Sequence, residues 1–344
     1  MAVRRAHLVG SIPAADAADA MRLAVTHLGS DLDFLPDGET GDRRNWIIGA
    51  IESFRDHPVL ELTRDGDWSD YDKTPRFRVR PGQRLSGAAL DLGIVAATRQ
   101  ALPSYQATCA RLGAAGRDLG FQVGIPGDVD LAMFTFGPVG PVRHLRPFTE
   151  ALAATMRQIH ELAGDDVLFQ IEIPVELVLL ARAPRPARAM LAALLARRVG
   201  ALARAAPART RFGVHLCLGD MNHRALGRLA DAGPLVLLTN ALVARWPAGR
   251  SLAYVHAPLA AADHPPVDDA AFYRPLRGLR LRGARFVAGY AHEDQDLDTQ
   301  RRVRRHVEEA LGRPADVSTS CGLGRRDRAA AVAAMDRIKT LLDD

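Results

Sequence analysis

Cysteine is scarce in this chain of 344 residues: there are three, an odd number with wide gaps between them. That excludes a disulfide framework and points to a reducing compartment. Aromatic residues are also few, at 6%. A nucleic-acid surface would need clustered base and interleaved rings, whereas the net charge of +5 is spread over many arginines and balanced by 40 acids, with no long block of one sign. No apolar run reaches the roughly 18 residues of a membrane span, and no charged-then-apolar leader opens the chain. The Gly-rich stretches lack the spacing of a phosphate cradle, and there is no Gly-x-Ser-x-Gly elbow, so nucleotide binding and serine hydrolysis have no support. These absences leave a soluble cytoplasmic protein as the expectation, with no nucleic-acid or membrane partner. Its 48% of hydrophobic residues suffices for a sizeable core.

What is present is a repeated unit of short β-rich run, loop and amphipathic Ala/Leu/Arg helix, the pattern of parallel βαβ units. Eight strands are expected at about 6–9, 32–35, 121–125, 167–171, 212–216, 235–238, 285–289 and 316–319. Helices are expected at about 14–27, 43–54, 94–119, 147–163, 187–205, 221–232, 298–311 and 326–342. Eight such units predict one α/β domain over residues 1–344, a single (β/α)8 TIM barrel. Two stretches break the rhythm. Residues 56–90 are rich in turn residues and read as a hairpin or an irregular excursion. Residues 241–283 read as a long loop with some strand.

In such a barrel the loops at the C-terminal strand ends collect the chemistry. There the chain places Gly10-Ser11, Gly38-Glu39, Gln170-Ile171-Glu172, His215-Leu216-Cys217, His292-Glu293-Asp294 and Ser320-Cys321-Gly322. His215 and Cys217 are two apart on a strand and so share a face. Imidazole plus thiol is a zinc-type donor pair, and Cys321 is the best further ligand. The pair alone is equally the mark of a buried strand with a small hydrophobe and a satisfied imidazole, and each rim acid alone is an ordinary loop residue. Cys109 reads as a packing residue of a helix. His256, Asp263 and His264 fall in the second irregular stretch, as a cover for the site or as solvated loop. Trp46 packs either on substrate or into a helix face.

Taken together, these pieces resemble the catalytic half of cobalamin-independent methionine synthase, in the superfamily that includes uroporphyrinogen decarboxylase and zinc-dependent coenzyme M methyltransferases. His215-Leu216-Cys217 and Cys321-Gly322-Leu323 with Arg325-Arg326 are similar to that family's zinc-ligand motifs, which implies Zn2+ held by His215, Cys217 and Cys321. Val9-Gly10-Ser11-Ile12-Pro13 resembles the loop that holds an amino acid's carboxylate. Gly38-Glu39 and Glu172-Ile173-Pro174 resemble the acidic positions that grip its ammonium group, and His292 stands where the family has a proton-moving histidine. The resemblance implies a zinc-dependent methyl- or alkyltransferase acting on the sulfur of homocysteine or a similar small thiol, its methyl donor a folate or a corrinoid carrier protein.

Two departures keep other chemistry open. Strand six, read as 235–238, carries no acid where the family adds a glutamate ligand, which leaves substrate thiolate, water or Asp220 for the fourth position. Glu172 stands for an expected aspartate, which points away from homocysteine itself. A zinc-dependent lyase or rearrangement enzyme on a modified amino acid is the alternative, and a barrel whose metal only braces the rim is a third reading.

Overall fold

A computed structural model describes residues 3–45 and 47–344; Trp46 lies outside the described residues. Among the described residues there are nine strands: β1 (Phe34–Pro36), β2 (Leu60–Arg64), β3 (Arg76–Val79), β4 (Gly120–Pro126), β5 (Val167–Ile173), β6 (Arg211–Leu216), β7 (Ser251–Pro258), β8 (Arg285–Ala291) and β9 (Asp316–Thr319). β2 and β3 pair antiparallel, so the first irregular stretch is a hairpin. The other seven form one parallel sheet in the order β1-β4-β5-β6-β7-β8-β9.

The sheet curls, but the expected eighth strand at 6–9 is not a strand. Only Ala6 pairs there, through single parallel bridges to Leu32 and to Val317, one beside each edge of the sheet. The following residues turn their backbone elsewhere: Gln122 donates to the carbonyls of Leu8 and Val9, at 2.9 and 2.8 Å. What the structure shows is a curled seven-stranded parallel sheet, consistent with a TIM-like fold, with Ala6 bridged to both sides of its seam.

Two further expectations are corrected. Residues 235–238 lie within a helix, Gly233–Arg245, and the place between β6 and β8 is filled by β7 from the second irregular stretch. The helix expected at 221–232 is irregular loop.

Strand alternation sorts the interior. Phe121, Val123 and Ile125 of β4, Phe169 and Ile171 of β5, and Phe212 and Val214 of β6 join the main apolar core under the helices. The helix Leu145–Ala163, for example, buries Phe148, Leu152, Met156 and Ile159 at helical spacing. Full burial of such a side chain contributes about 1.5–3 kcal/mol. The opposite set points to the inside of the curl. It begins with Leu168, Tyr254 and Val287, which form a small separate cluster. Above them, Tyr254 Oη lies 2.8 Å from Gln122 Oε1 and 3.0 Å from Gln170 Oε1. Higher still come Glu172, His215 and His256, paired in register across β5, β6 and β7. The polar side chains of the strands thus climb toward one rim.

Candidate active site

β6 ends by setting His215 and Cys217 on the inner face, and β9 delivers Cys321 two residues past its last paired residue. Ligand atoms of His215, Cys217 and Cys321 all lie within 4.8 Å of one another, and the two Sγ atoms are 3.7 Å apart. Cys217 is buried, and its thiol is pushed up by the neighbouring Cys321 sulfur and by burial. His215 is 1% exposed, and burial followed by His256 and His7 holds its imidazole well below the ordinary range. Its Nε2 is buried without a hydrogen-bond partner. Two sulfurs and one orphaned imidazole nitrogen make a soft donor set that fits a zinc ion with an open position.

The three side chains line one cavity of about 740 Å³, counted with its open mouth, together with Ser11, Glu39, Glu172 and Arg325. Glu39 sits at φ 40°, a left-handed conformation that a non-glycine residue adopts only under constraint. The constraint is visible. Ile12 N–H donates to the Gly38 carbonyl at 2.8 Å, and Glu39 N–H donates to Asp37 Oδ1 at 3.1 Å. Gly10 is glycine because a β-carbon there would stand 2.8 Å from Glu39 Oε1. Burial first, then Asp37, raises the Glu39 carboxyl to about 7 against the pull of Arg43 and Arg325. Glu172 lies across Gly124 from Glu39, accepts from Gln170 Nε2 at 2.9 Å, and is raised well above the carboxylate range by burial and then by Glu39. Two buried carboxyls with this preference for a proton call for a cation between them.

Ser11 is the hub of the facing loop. Its Oγ accepts from Arg325 Nη1 at 2.9 Å and from Gly324 N–H at 3.3 Å, and its carbonyl accepts from Leu323 N–H at 2.7 Å. Apolar side chains of Ile47, Phe134, Met221 and Leu226 line another part of the wall. Every site residue expected from the sequence except one is therefore gathered here, Gly10 from behind Glu39.

The exception is His292. It is fully buried, its Nε2 lies 2.8 Å from the Ala262 carbonyl, and its Nδ1 accepts from Asp294 N–H at 3.2 Å. Both ring nitrogens are spent on bracing loops, and His292 does not line the cavity. His256 is corrected as well: it is a strand residue with no exposure, not part of a covering loop. His264 lies at a loop surface beside Arg228 and Asp263.

Arg325 has no role of its own in the sequence beyond its place after Cys321-Gly322-Leu323, and Asp220 is expected only as a spare metal ligand. Asp220 is 5% exposed on the cavity wall, with both carboxylate oxygens lacking a hydrogen-bond partner, 3.5 Å from His223 Nδ1. Tyr71 arrives from the hairpin, where its hydroxyl accepts from Met221 N–H at 2.9 Å and donates to the Arg224 carbonyl at 3.0 Å. Nothing near Tyr71 in the sequence signals this. His256 was findable, since Tyr254, His256 and Pro258 alternate along one face of a strand.

This architecture, a curled parallel sheet with its chemistry at one rim, is the fold of the B12-independent methionine synthases and related methyltransferases. A B12-independent methionine synthase from Shewanella sp. W3-18-1, solved with selenomethionine, matches with a TM-score of 0.62 at 14% identity, over 99% of this chain and 97% of that one. A methyltransferase from Methanosarcina mazei matches with a TM-score of 0.52 at 13% identity, over 100% and 94%. No protein-family model matches the chain, and no curated protein matches it by sequence. Among the described residues, no helix is long and apolar enough to cross a membrane.

Proposed function

We propose that this chain is a zinc-dependent methyl- or alkyltransferase whose acceptor is the sulfur of homocysteine or a similar small amino-acid thiol. The observation that carries the reading is the convergence of His215, Cys217 and Cys321 within 4.8 Å at a cavity that also holds two buried carboxyls. Zinc, when bound by these three side chains, lowers the pKa of a thiol in its open position, so that a thiolate is available at neutral pH.

The chain's own residues do the rest. Glu39 and Glu172 receive the substrate ammonium, whose charge favours their ionised form. Ser11 and Arg325 receive its carboxylate. The wall of Ile47, Phe134, Met221 and Leu226 keeps water from the methylene chain and aims the sulfur. The sulfur's electron pair forms the new bond to carbon, the donor leaves with the pair of the broken bond, and a proton is required by the departing group. Asp220, which lines the cavity, is placed to pass that proton, the role that the family resemblance implies for His292.

The lyase alternative uses the same residues. It gains from β7, which carries no acid in the position that the sequence reading had sought on 235–238. Cobalt substitution tests both: titration with homocysteine is expected to raise the thiolate-to-cobalt absorption, followed by alkyl transfer when a folate or corrinoid methyl donor is added. Bound cobalt with no change on thiol addition refutes the transferase reading. Carbon–sulfur cleavage of a methionine-like substrate without an acceptor would favour the lyase.

A further inference from the structure

We propose that His256 is a positioning residue that locks His215 in the Nδ1–H tautomer, so that Nε2 presents its lone pair to the metal. The inference rests on the zinc reading above, but its argument is a hydrogen-bond ledger. His256 Nε2 lies 2.9 Å from the carbonyl oxygen of Thr319, which can only accept. The N–H of His256 is therefore on Nε2. Its Nδ1 then carries a lone pair, and that atom is 2.7 Å from His215 Nδ1. A contact between two ring nitrogens needs one proton, which must come from His215. With Nδ1 protonated, a neutral His215 has its lone pair on Nε2, the atom that is buried and has no partner. The chain of donation runs from His215 Nδ1–H to His256, and from His256 Nε2–H to Thr319.

His256 sits among imidazole rings and the backbone of Thr319 and Leu216. It has no exposure, its neighbouring rings are His215 and His7, with centroids at 4.6 and 5.7 Å, and no carboxylate of the described residues hydrogen-bonds to it. The fit with Thr319 is also built: a β-carbon at Gly289 would stand 2.8 Å from both His256 Nε2 and the Thr319 carbonyl oxygen, so β8 must pass this point as glycine. Metal-binding histidines usually give their second N–H to a carboxylate, carbonyl or water. A neutral imidazole does this duty here, two residues before Cys321 in β9's case and across the β6–β7 pair in His215's. It orients the ligand without adding negative charge beside two thiolates.

The first test needs no metal. In apo protein labelled with 15N at histidine, long-range proton–nitrogen spectra assigned with a His215 variant should show His215 protonated at Nδ1 and His256 at Nε2. His215 protonated at Nε2 overturns the proposal. The second test measures zinc affinity by chelator competition. H256A should lose about 10- to 100-fold, and H256Q, whose amide oxygen can accept from His215 Nδ1–H, should regain most of it. A folded H256A that binds zinc as tightly as wild type overturns the proposal, as do two imidazoles on zinc by X-ray absorption. Should H256A fail to fold, the wild-type spectrum and H256Q decide. A wild-type protein that binds no zinc defeats the ligand assignment instead, while the apo spectrum still judges the His256–His215 pairing.

Discussion

Glu39→Gln should make the free protein more stable and its amino-acid complex weaker. In the folded chain the Glu39 carboxyl is held at about 7 rather than 4.5, by burial first and by Asp37 second. An acid whose folded pKa is raised contributes no penalty below the unfolded value, and stability is lost as pH rises through the folded value. At about 1.36 kcal/mol per tenfold in proton affinity, that loss is on the order of 3 kcal/mol between pH 4.5 and pH 8. Glutamine does not titrate. Urea denaturation of metal-free protein should find wild type and variant equal near pH 4.5, with the variant ahead by that order at pH 8. Glu172 keeps part of the pH slope in the variant, because its own burial raises it. Calorimetry should show the opposite sign for ligand: loss of a charged hydrogen bond to the ammonium costs about 1.5–3 kcal/mol, or roughly 10- to 150-fold in Kd. Parallel stability profiles for the two proteins across this pH range would refute the reasoning that Glu39 is held protonated at a cost to the free fold.

Cys217→Ser removes one of two sulfurs from the donor set and should take bound zinc from about one per chain to almost none, with the circular dichroism of the fold unchanged; stoichiometric zinc in that variant would sink the ligand assignment. Tyr71→Phe deletes the hydroxyl that bridges Met221 and Arg224. It should cost about 1–2 kcal/mol and speed amide exchange in residues 219–224, and unchanged exchange there would show that the hairpin does not brace the cavity wall.

The local motifs were legible because their chemistry is carried by neighbours in sequence. His215 and Cys217 need only a strand to share a face, and Ser11, Glu39, Glu172 and Cys321 each stand beside a turn or strand end that the chain itself marks. The errors have physical causes. Residues 235–238 look like a buried strand because an apolar run of that length fits either element. After Thr239 and Asn240 the chain returns to apolar residues at Ala241-Leu242-Val243, at helical spacing from Leu235 and Leu238, and the helix covers the sheet instead. β7 was hidden for the converse reason: Tyr254 and His256 point into a polar interior, so the strand lacks an apolar signature. The first strand reduces to Ala6 because the carbonyls of Leu8 and Val9 are taken by glutamine side chains rather than by a neighbouring strand. His292 stands against the Ala262 carbonyl rather than in the cavity wall, a choice of direction for a rim imidazole that no sequence pattern signals.

The ligand set also inspects the sheet. His215 and Cys217 leave β6, whereas Cys321 leaves β9, the edge strand that meets the seam at Ala6. β9 is held on one side only by four residue pairs to β8, with a shift between Gly289 and Ala291, and on the other by the single bridge to Ala6; a slip of one residue in β9 would send every following side chain to the opposite face. A slipped molecule could still bury its aliphatic residues, yet it would present two ligands instead of three. Metal in the surroundings therefore rewards one alignment alone, by an amount that grows with its concentration over Kd. The ion proposed for catalysis would double as the arbiter of how the curl was closed.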